Sequence, residues 1–158
     1  MDRQVQFASV LKSVRVKADP AHAFKIFTTF RWWPKTHSIL ASRSPQKLVV
    51  IEPKVGGRWF ERGEDGSECE WGRVLVWDPP ARLVFTWEIS GDFVVDRNLA
   101  TEVEVQFIPD GDNATLVKLE HRHFERAGPT AEKLRTSVDS PGGWSGVLDL
   151  FAADVAAA

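Results

Sequence analysis

Along most of the middle of the chain, hydrophobic and polar residues alternate, a pattern that is typical of half-buried β-strands. It occurs over residues 7–16 and in six segments between residues 48 and 124. In chain order the six segments are LVVIEP, GRWFER, ECEWGRVLVWD, RLVFTWEI, TEVEVQFIP and ATLVKLEHRHF. Short turns rich in glycine, proline and aspartate separate them. We therefore predict seven strands, of which the last six form an antiparallel meander.

Helical spacing of apolar residues replaces this alternation nearer the two ends of the chain. Asp19 followed by Pro20 is typical of a helix N-cap and first turn, and it predicts a helix over residues 20–29. A second, shorter helix is predicted over residues 130–138. After the breaker sequence PGG, apolar residues recur with helical spacing and predict a final amphipathic helix.

These elements predict an α+β fold class. A strongly twisted sheet has one apolar face to bury, and the final amphipathic helix is the element best placed to cover it. A chain of 158 residues is long enough to bury a substantial core, so we expect one domain over residues 1–158.

Aromatic residues are the most unusual part of the composition, with seven tryptophans, ten phenylalanines and no tyrosine. Trp32 and Trp33 precede Pro34, which interrupts the helical pattern, so we expect an irregular lip or lid there. Strand alternation places many of the other aromatic and aliphatic residues on one face of the sheet. Such a face either fills the core under the final helix or lines a ligand cavity, and both interpretations stay open. The candidate ligand-binding residues are Trp59, Trp71, Phe85, Trp87, Val105, Phe107, His121, Trp144, Leu148 and Phe151.

Few polar residues form a pattern that indicates chemistry. The alternation of its strand points His121 inward, where the imidazole either contacts a ligand or has a partner in the core. His121 and His123 share one face of that strand but lack a third ligand, so we expect neither a metal site nor a cofactor. Three glutamates, Glu61, Glu68 and Glu70, lie beside arginines in an acidic hairpin, which predicts a solvated, charge-paired turn.

Charge and cysteine content argue against several classes of protein. The 20 basic and 22 acidic residues leave no excess positive charge for a nucleic acid partner. No apolar run approaches the ~20 residues of a membrane-spanning helix, so we expect no membrane partner. The single cysteine, Cys69, has no partner for an internal disulfide, and the N-terminus lacks a signal-peptide pattern, which predicts a cytoplasmic protein. Cys69 also lacks the His or Asn pattern that marks a thiol nucleophile.

Several motifs together resemble a known superfamily. In chain order they are Asp19-Pro20, Trp32-Trp33, Val55-Gly56-Gly57-Arg58-Trp59, Gly72-Arg73-Val74, Asp78-Pro79-Pro80, Leu83-Val84-Phe85-Thr86-Trp87, residues 115–121 and Gly143-Trp144. Their order and spacing resemble the START-like, helix-grip proteins, and within them the family related to the C-terminal domain of the activator of the Hsp90 ATPase. The resemblance implies a curved antiparallel sheet wrapped around a long C-terminal helix, with a cavity between them. Relative to that pattern Ser140-Pro141 is an insertion, which predicts a helix that begins later or is kinked.

Proteins of this fold have many functions, so three alternatives stay open. The first is the binding of a small apolar or amphipathic molecule in the cavity, without catalysis. The second is a chaperone-linked or stress-linked regulatory protein whose groove binds a protein partner. The third is an enzyme of the cyclase or hydrolase type that uses His121 with an acidic partner. A monomer and a homodimer are both compatible with the sequence.

Overall fold

A computed structural model describes residues 7–158. The strands are β1 (Val10–Val16), β2 (Gln46–Ile51), β3 (Arg58–Gly63), β4 (Glu68–Asp78), β5 (Arg82–Trp87), β6 (Thr101–Pro109) and β7 (Thr115–Arg122). The helices are α1 (Pro20–Thr29), α2 (Ala131–Asp139) and α3 (Gly146–Ala157). Short 3-10 turns lie at Lys35–His37 and Phe124–Thr130, and a π-helical turn lies at Pro141–Ser145. Within the described range no helix is long and apolar enough to cross a membrane.

All seven strands form one antiparallel sheet in the order β1-β7-β6-β5-β4-β3-β2. The last six strands pair with their chain neighbours, which confirms the predicted meander, and β1 adds to the edge of β7. The observed first strand begins at Val10, so residues 7–9, which were predicted to belong to it, lie outside the strand. Together with the helices, the sheet confirms the predicted α+β helix-grip architecture.

The sheet is curled at its β2–β5 side, where the pairing register shifts between three successive strand pairs. Between β3 and β4, Trp59 pairs with Gly72 whereas Phe60 pairs with Glu70, so Trp71 is an extra residue on β4. A β-bulge of this kind bends the strand and increases its right-handed twist. The curl brings the tryptophans of β3, β4 and β5 towards the same side of the sheet.

The apolar face of the sheet is covered by α1 and α3. The side chain of Asp19 accepts a 2.8 Å hydrogen bond from the His22 N–H, and this cap fixes the start of α1 as predicted. Phe27 of α1 packs between the sheet and α3, with ring centroids 5.6 Å from Phe107 and 5.2 Å from Phe151. One continuous core therefore joins both helices to the sheet.

The C-terminal helical region is divided, as the inserted Ser140-Pro141 predicts. Gly143 has a non-helical backbone (φ −86°, ψ −136°) within the π-helical turn, and regular α3 begins only at Gly146. A Cβ atom at Gly143 would lie 2.2 Å from the carbonyl oxygen of Val138, so the close approach of α2 requires glycine. The C-terminal region is therefore made of α2, the π-helical turn and α3 rather than of one long helix.

We expect Phe151→Ala to lower the free energy of unfolding by about 3–5 kcal/mol, because it opens a cavity where α3 meets α1. Phe151 is fully buried, whereas the preceding Leu150 is exposed. Leu150→Ala is therefore the matched control, with an expected change within about 0.5 kcal/mol. Urea denaturation of both variants measures the difference. Equal effects of the two substitutions would contradict the observed orientation of α3.

Candidate functional site

A cavity of about 500 Å³ opens between the sheet, the turn after α1 and the divided C-terminal region. Its apolar lining residues are Trp33, Ile39, Trp71, Trp87, Ile89, Phe93, Val138, Trp144 and Val147. The other lining residues are Thr36, His37, Ser38, Ser137, Ser140, Gly142 and Gly143. The cavity is thus mostly apolar, with four tryptophans and one phenylalanine, and has hydroxyl groups and one imidazole along part of its wall.

Four tryptophans form the largest part of the wall. The ring of Trp33 lies among the others, with centroids 5.7 Å from Trp71, 6.4 Å from Trp87 and 5.9 Å from Trp144. Trp87 and Trp144 are 5.5 Å apart in an edge-to-face arrangement. Aromatic pairs at such distances stabilise one another beyond the area they bury, which keeps the wall ordered.

Glu61 lies behind this wall and holds three lining residues in place, namely Ser38, Ile39 and Trp71. One carboxyl oxygen accepts hydrogen bonds from the Ser38 hydroxyl and from Gln46 Nε2 at 3.2 Å. The other accepts from the Ile39 N–H at 2.9 Å and from Trp71 Nε1 at 3.1 Å. The Glu61 side chain is fully buried. Its partners come from the rim segment that follows α1 (residues 36–39), from β2 and from β4. Glu61 therefore connects the rim of the cavity to the sheet.

The predicted solvated hairpin is correct for two glutamates and wrong for Glu61. Glu68 and Glu70 form ion pairs with Arg58 on the surface. Trp59, Phe60 and Glu61 are all buried, which simple alternation does not allow. The bulge opposite these residues breaks the period-two pattern, and the curl of the sheet covers both faces of β3 at this point.

His121 lies deep in the core, where both ring nitrogens are occupied. Trp144 Nε1 donates to Nδ1 over 3.1 Å, so the ring proton lies on Nε2, which donates to Thr101 Oγ1 over 2.9 Å. The Thr101 hydroxyl then donates to the Trp87 carbonyl oxygen over 2.8 Å. Burial lowers the pKa of His121 to about 3, so the imidazole is neutral at physiological pH. Its observed role is to orient Trp144.

Three of the ten candidate ligand-binding residues line the cavity: Trp71, Trp87 and Trp144. The other seven are buried in the core beside it: Trp59, Phe85, Val105, Phe107, His121, Leu148 and Phe151. His123, which was expected to share a face with His121, lies beyond the end of β7. Alternation identified the buried face of the sheet, but it did not separate residues that touch the cavity from those that lie under the helices.

Residues 36–38, which form a polar side of the cavity, were not predicted as site residues from the sequence. Trp33, expected in a lip, is 6% exposed and belongs to the inner wall. His37 is the one titratable side chain among the described lining residues. Partial burial lowers its pKa from the ordinary value of 6.5. The only sequence signal for this segment is Pro34, which ends the helical pattern and leaves the following polar residues beside the sheet.

Two other groups have little capacity for chemistry. Burial raises the pKa of the Cys69 thiol to about 11, with a further contribution from Glu61, so the thiolate is scarce at neutral pH. Among residues 7–158, no group of three or more His, Cys, Asp or Glu residues could hold a metal ion.

A curved antiparallel sheet that packs on a C-terminal helix beside an aromatic cavity defines the START-like, helix-grip class of proteins. Residues 17–156 match the family model described as "Activator of Hsp90 ATPase homolog 1-like protein", and the chain belongs to this family. No curated protein sequence matches the chain.

Solved structures extend this comparison. The anthrahydroquino-γ-pyrone synthase Txn09 is 39% identical, with 95% of this chain and 97% of the synthase covered and a TM-score of 0.63. CalC, a self-sacrificing resistance protein from Micromonospora echinospora, is 34% identical, with 93% of each chain covered and a TM-score of 0.66. CalU16 from the same organism is 22% identical over 93% of this chain and 73% of its own, with a TM-score of 0.61, and shares the fold.

We expect acidification to destabilise the wild-type protein more than a His121→Gln variant. The pKa of His121 is about 3 in the folded protein, whereas the ordinary value of 6.5 applies to the unfolded chain. As the pH falls, the unfolded chain therefore binds the proton first. The stability that neutral His121 contributes is complete above pH 6.5 and is lost as the pH falls towards 3. Between pH 7.5 and 5 the wild type should lose about 2 kcal/mol relative to the variant. Urea denaturation at both pH values measures this difference, and parallel pH profiles would contradict it.

We expect Glu61→Ala to lower the free energy of unfolding by at least about 3 kcal/mol, because several buried donors lose their acceptor. Glu64→Ala, at an exposed position of the same hairpin, is the control and should change it by less than about 0.5 kcal/mol. Denaturant titration of the two variants tests the role assigned to Glu61. A small effect of Glu61→Ala would mean that the rim is held by other contacts.

Proposed function

We propose that the protein binds a planar, largely apolar aromatic molecule in the cavity beside α3. The observation that carries the proposal is the wall of four tryptophans around a space of about 500 Å³. Binding sites for small molecules typically have volumes of ~300–1,000 Å³ and are mostly apolar and aromatic. The flat faces and edges of the indoles favour a flat ring system over a flexible aliphatic chain.

The polar side of the cavity favours an amphipathic ligand. Thr36, His37 and Ser38 lie on the rim, and Ser137 and Ser140 belong to the C-terminal region. Their side chains can form a few hydrogen bonds that fix the orientation of a ligand whose rings contact the tryptophans. Since no lysine or arginine is among the described lining residues, a neutral ligand fits better than an anion.

Similar proteins support this class of ligand. Txn09 is named for an anthrahydroquino-γ-pyrone, which is a fused aromatic ring system, and it is 39% identical to this chain along almost its whole length. CalC is a resistance protein with 34% identity. Membership of the Hsp90-activator homologue family by itself favours neither chaperone regulation nor a particular ligand, because function depends on the site rather than on the fold.

The similarity to a synthase favours catalysis as the second candidate function. In that case His37, rather than His121, is the residue we propose as the acid or base. His37 lines the cavity, whereas both nitrogens of His121 have partners in the core. A lowered pKa keeps the His37 imidazole largely neutral near pH 7, so it can accept a proton from a phenol or an enol.

Titration with a panel of fused-ring aromatic compounds tests the binding function. At least one compound should bind with micromolar affinity by calorimetry and raise the melting temperature, as mass action requires. Trp87→Leu should weaken this binding roughly tenfold, because it removes an aromatic contact and buried area. Trp77→Leu is the control, since Trp77 contacts Phe24 and does not line the cavity.

Two results separate the alternatives. If no compound binds, or if Trp77→Leu weakens binding as much as Trp87→Leu does, the proposed cavity is not the binding site. If a bound compound is converted to a new product over many turnovers, and His37→Gln abolishes conversion but not binding, the enzymatic alternative is correct.

A further inference from the structure

Three buried indole N–H groups, those of Trp33, Trp59 and Trp87, have no hydrogen-bond acceptor among residues 7–158. They occur together: the ring centroids are 5.7 Å apart for Trp33 and Trp59, 5.6 Å for Trp59 and Trp87, and 6.4 Å for Trp33 and Trp87. Buried indoles usually find a partner for the N–H group, and a donor without one costs free energy. The cluster is therefore a place where an additional acceptor would stabilise the protein.

Other tryptophans of the same aromatic cluster have partners. Trp32 donates to backbone carbonyls of α1, at 3.2 Å to Ile26 and 3.1 Å to Phe27. Trp71 and Trp144 donate to Glu61 and His121. The fold thus supplies hydrogen-bond acceptors to indoles both in the core and in the cavity wall. The N–H groups of the contiguous cluster of Trp33, Trp59 and Trp87 have no such acceptor among the described residues. Burial alone does not explain the difference.

The position of these donors connects them to the cavity. Trp33 and Trp87 both line it, and Trp59 packs directly behind them. The three nitrogen atoms are shielded from solvent, so an acceptor reaches them only when a neighbouring group moves. Trp59 is paired with Ile51 and Gly72 on its two neighbouring strands and Trp87 is paired with Thr101 on β6. Trp33 lies outside the strands, on the turn between α1 and Pro34. Of the three residues, Trp33 is therefore the one whose backbone is not held by strand pairing.

We propose that the ligand carries an aromatic ketone or quinone oxygen, which accepts hydrogen bonds from the N–H groups of Trp33 and Trp87 when Trp33 turns. This inference rests on the proposed binding function and specifies its ligand class. An indole N–H only donates, so its partner must be an acceptor. One carbonyl oxygen has two lone pairs and serves both donors. A neutral carbonyl also suits a wall without lysine or arginine among its described residues.

A matched pair of planar probes tests the proposal. Fluorenone and fluorene share one tricyclic shape and differ mainly in a carbonyl group at the central ring. Fluorenone should bind at least fivefold more tightly by calorimetry. In protein labelled with ¹⁵N in the indole groups, fluorenone should move the N–H proton resonances of Trp33 and Trp87 downfield, and fluorene should not. Single Trp→Phe variants assign the resonances.

Two variants separate hydrogen bonding from general packing. Trp87→Phe keeps an aromatic ring but removes the donor, so the affinity ratio of fluorenone to fluorene should fall towards one. Trp144→Phe is the control at a lining residue whose N–H is already bonded to His121. It should weaken both probes by a similar factor and leave the ratio unchanged. Resonance shifts in the wild-type protein decide the question if a variant does not fold.

The outcomes distinguish this inference from the function on which it rests. If both probes bind with equal affinity and neither resonance moves downfield with fluorenone, the inferred carbonyl recognition is wrong while the binding function stands. The same conclusion follows if Trp144→Phe, and not Trp87→Phe, removes the preference. If neither probe binds and other planar aromatic compounds also fail, the proposed function is wrong and the inference with it.

Discussion

The structure depends on covering the apolar face of a strongly curled sheet. Curvature comes from register shifts on the β2–β5 side, and α1 and α3 pack against the resulting face through a continuous aromatic and aliphatic core. Coverage by α3 stops where Gly143 leaves the helical conformation. A cavity remains at that point because the kinked segment and α2 pass beside the sheet instead of filling the space above it.

Buried polar side chains shape this cavity from behind without lining it. Glu61 connects the rim segment to the sheet through four hydrogen bonds, and His121 orients Trp144 through one. Both residues are fully buried, so their removal would leave donors or acceptors without partners in a medium that water does not reach. Their observed contacts are those of positioning residues. The polar groups that can meet a ligand belong to residues 36–38, Ser137 and Ser140, and the indoles form much of the apolar surface around them.

This division of roles suggests how proteins that share one fold can bind different ligands. Strand pairing and the helices keep most of the core fixed, whereas the turn that carries Trp33 and the divided C-terminal region surround the cavity. Changes in those two segments alter the shape and hydrogen-bonding groups of the cavity with little effect on the sheet. A similar fold in a pyrone synthase and in a resistance protein is compatible with such local variation.

Local sequence patterns determined the strands and the capped helix α1, because alternation and capping act over a few residues. The kink near Ser140-Pro141 was predicted from the resemblance to the helix-grip proteins, relative to which these two residues are an insertion. They also identified Trp71, Trp87 and Trp144, which line the cavity. Only the tertiary structure decided that Glu61 is buried and that His37, not His121, reaches the cavity. Both outcomes depend on contacts between distant segments: a bulge that shifts the register of β3 and β4, and a rim that folds back over the sheet. No periodicity within a single strand contains that information.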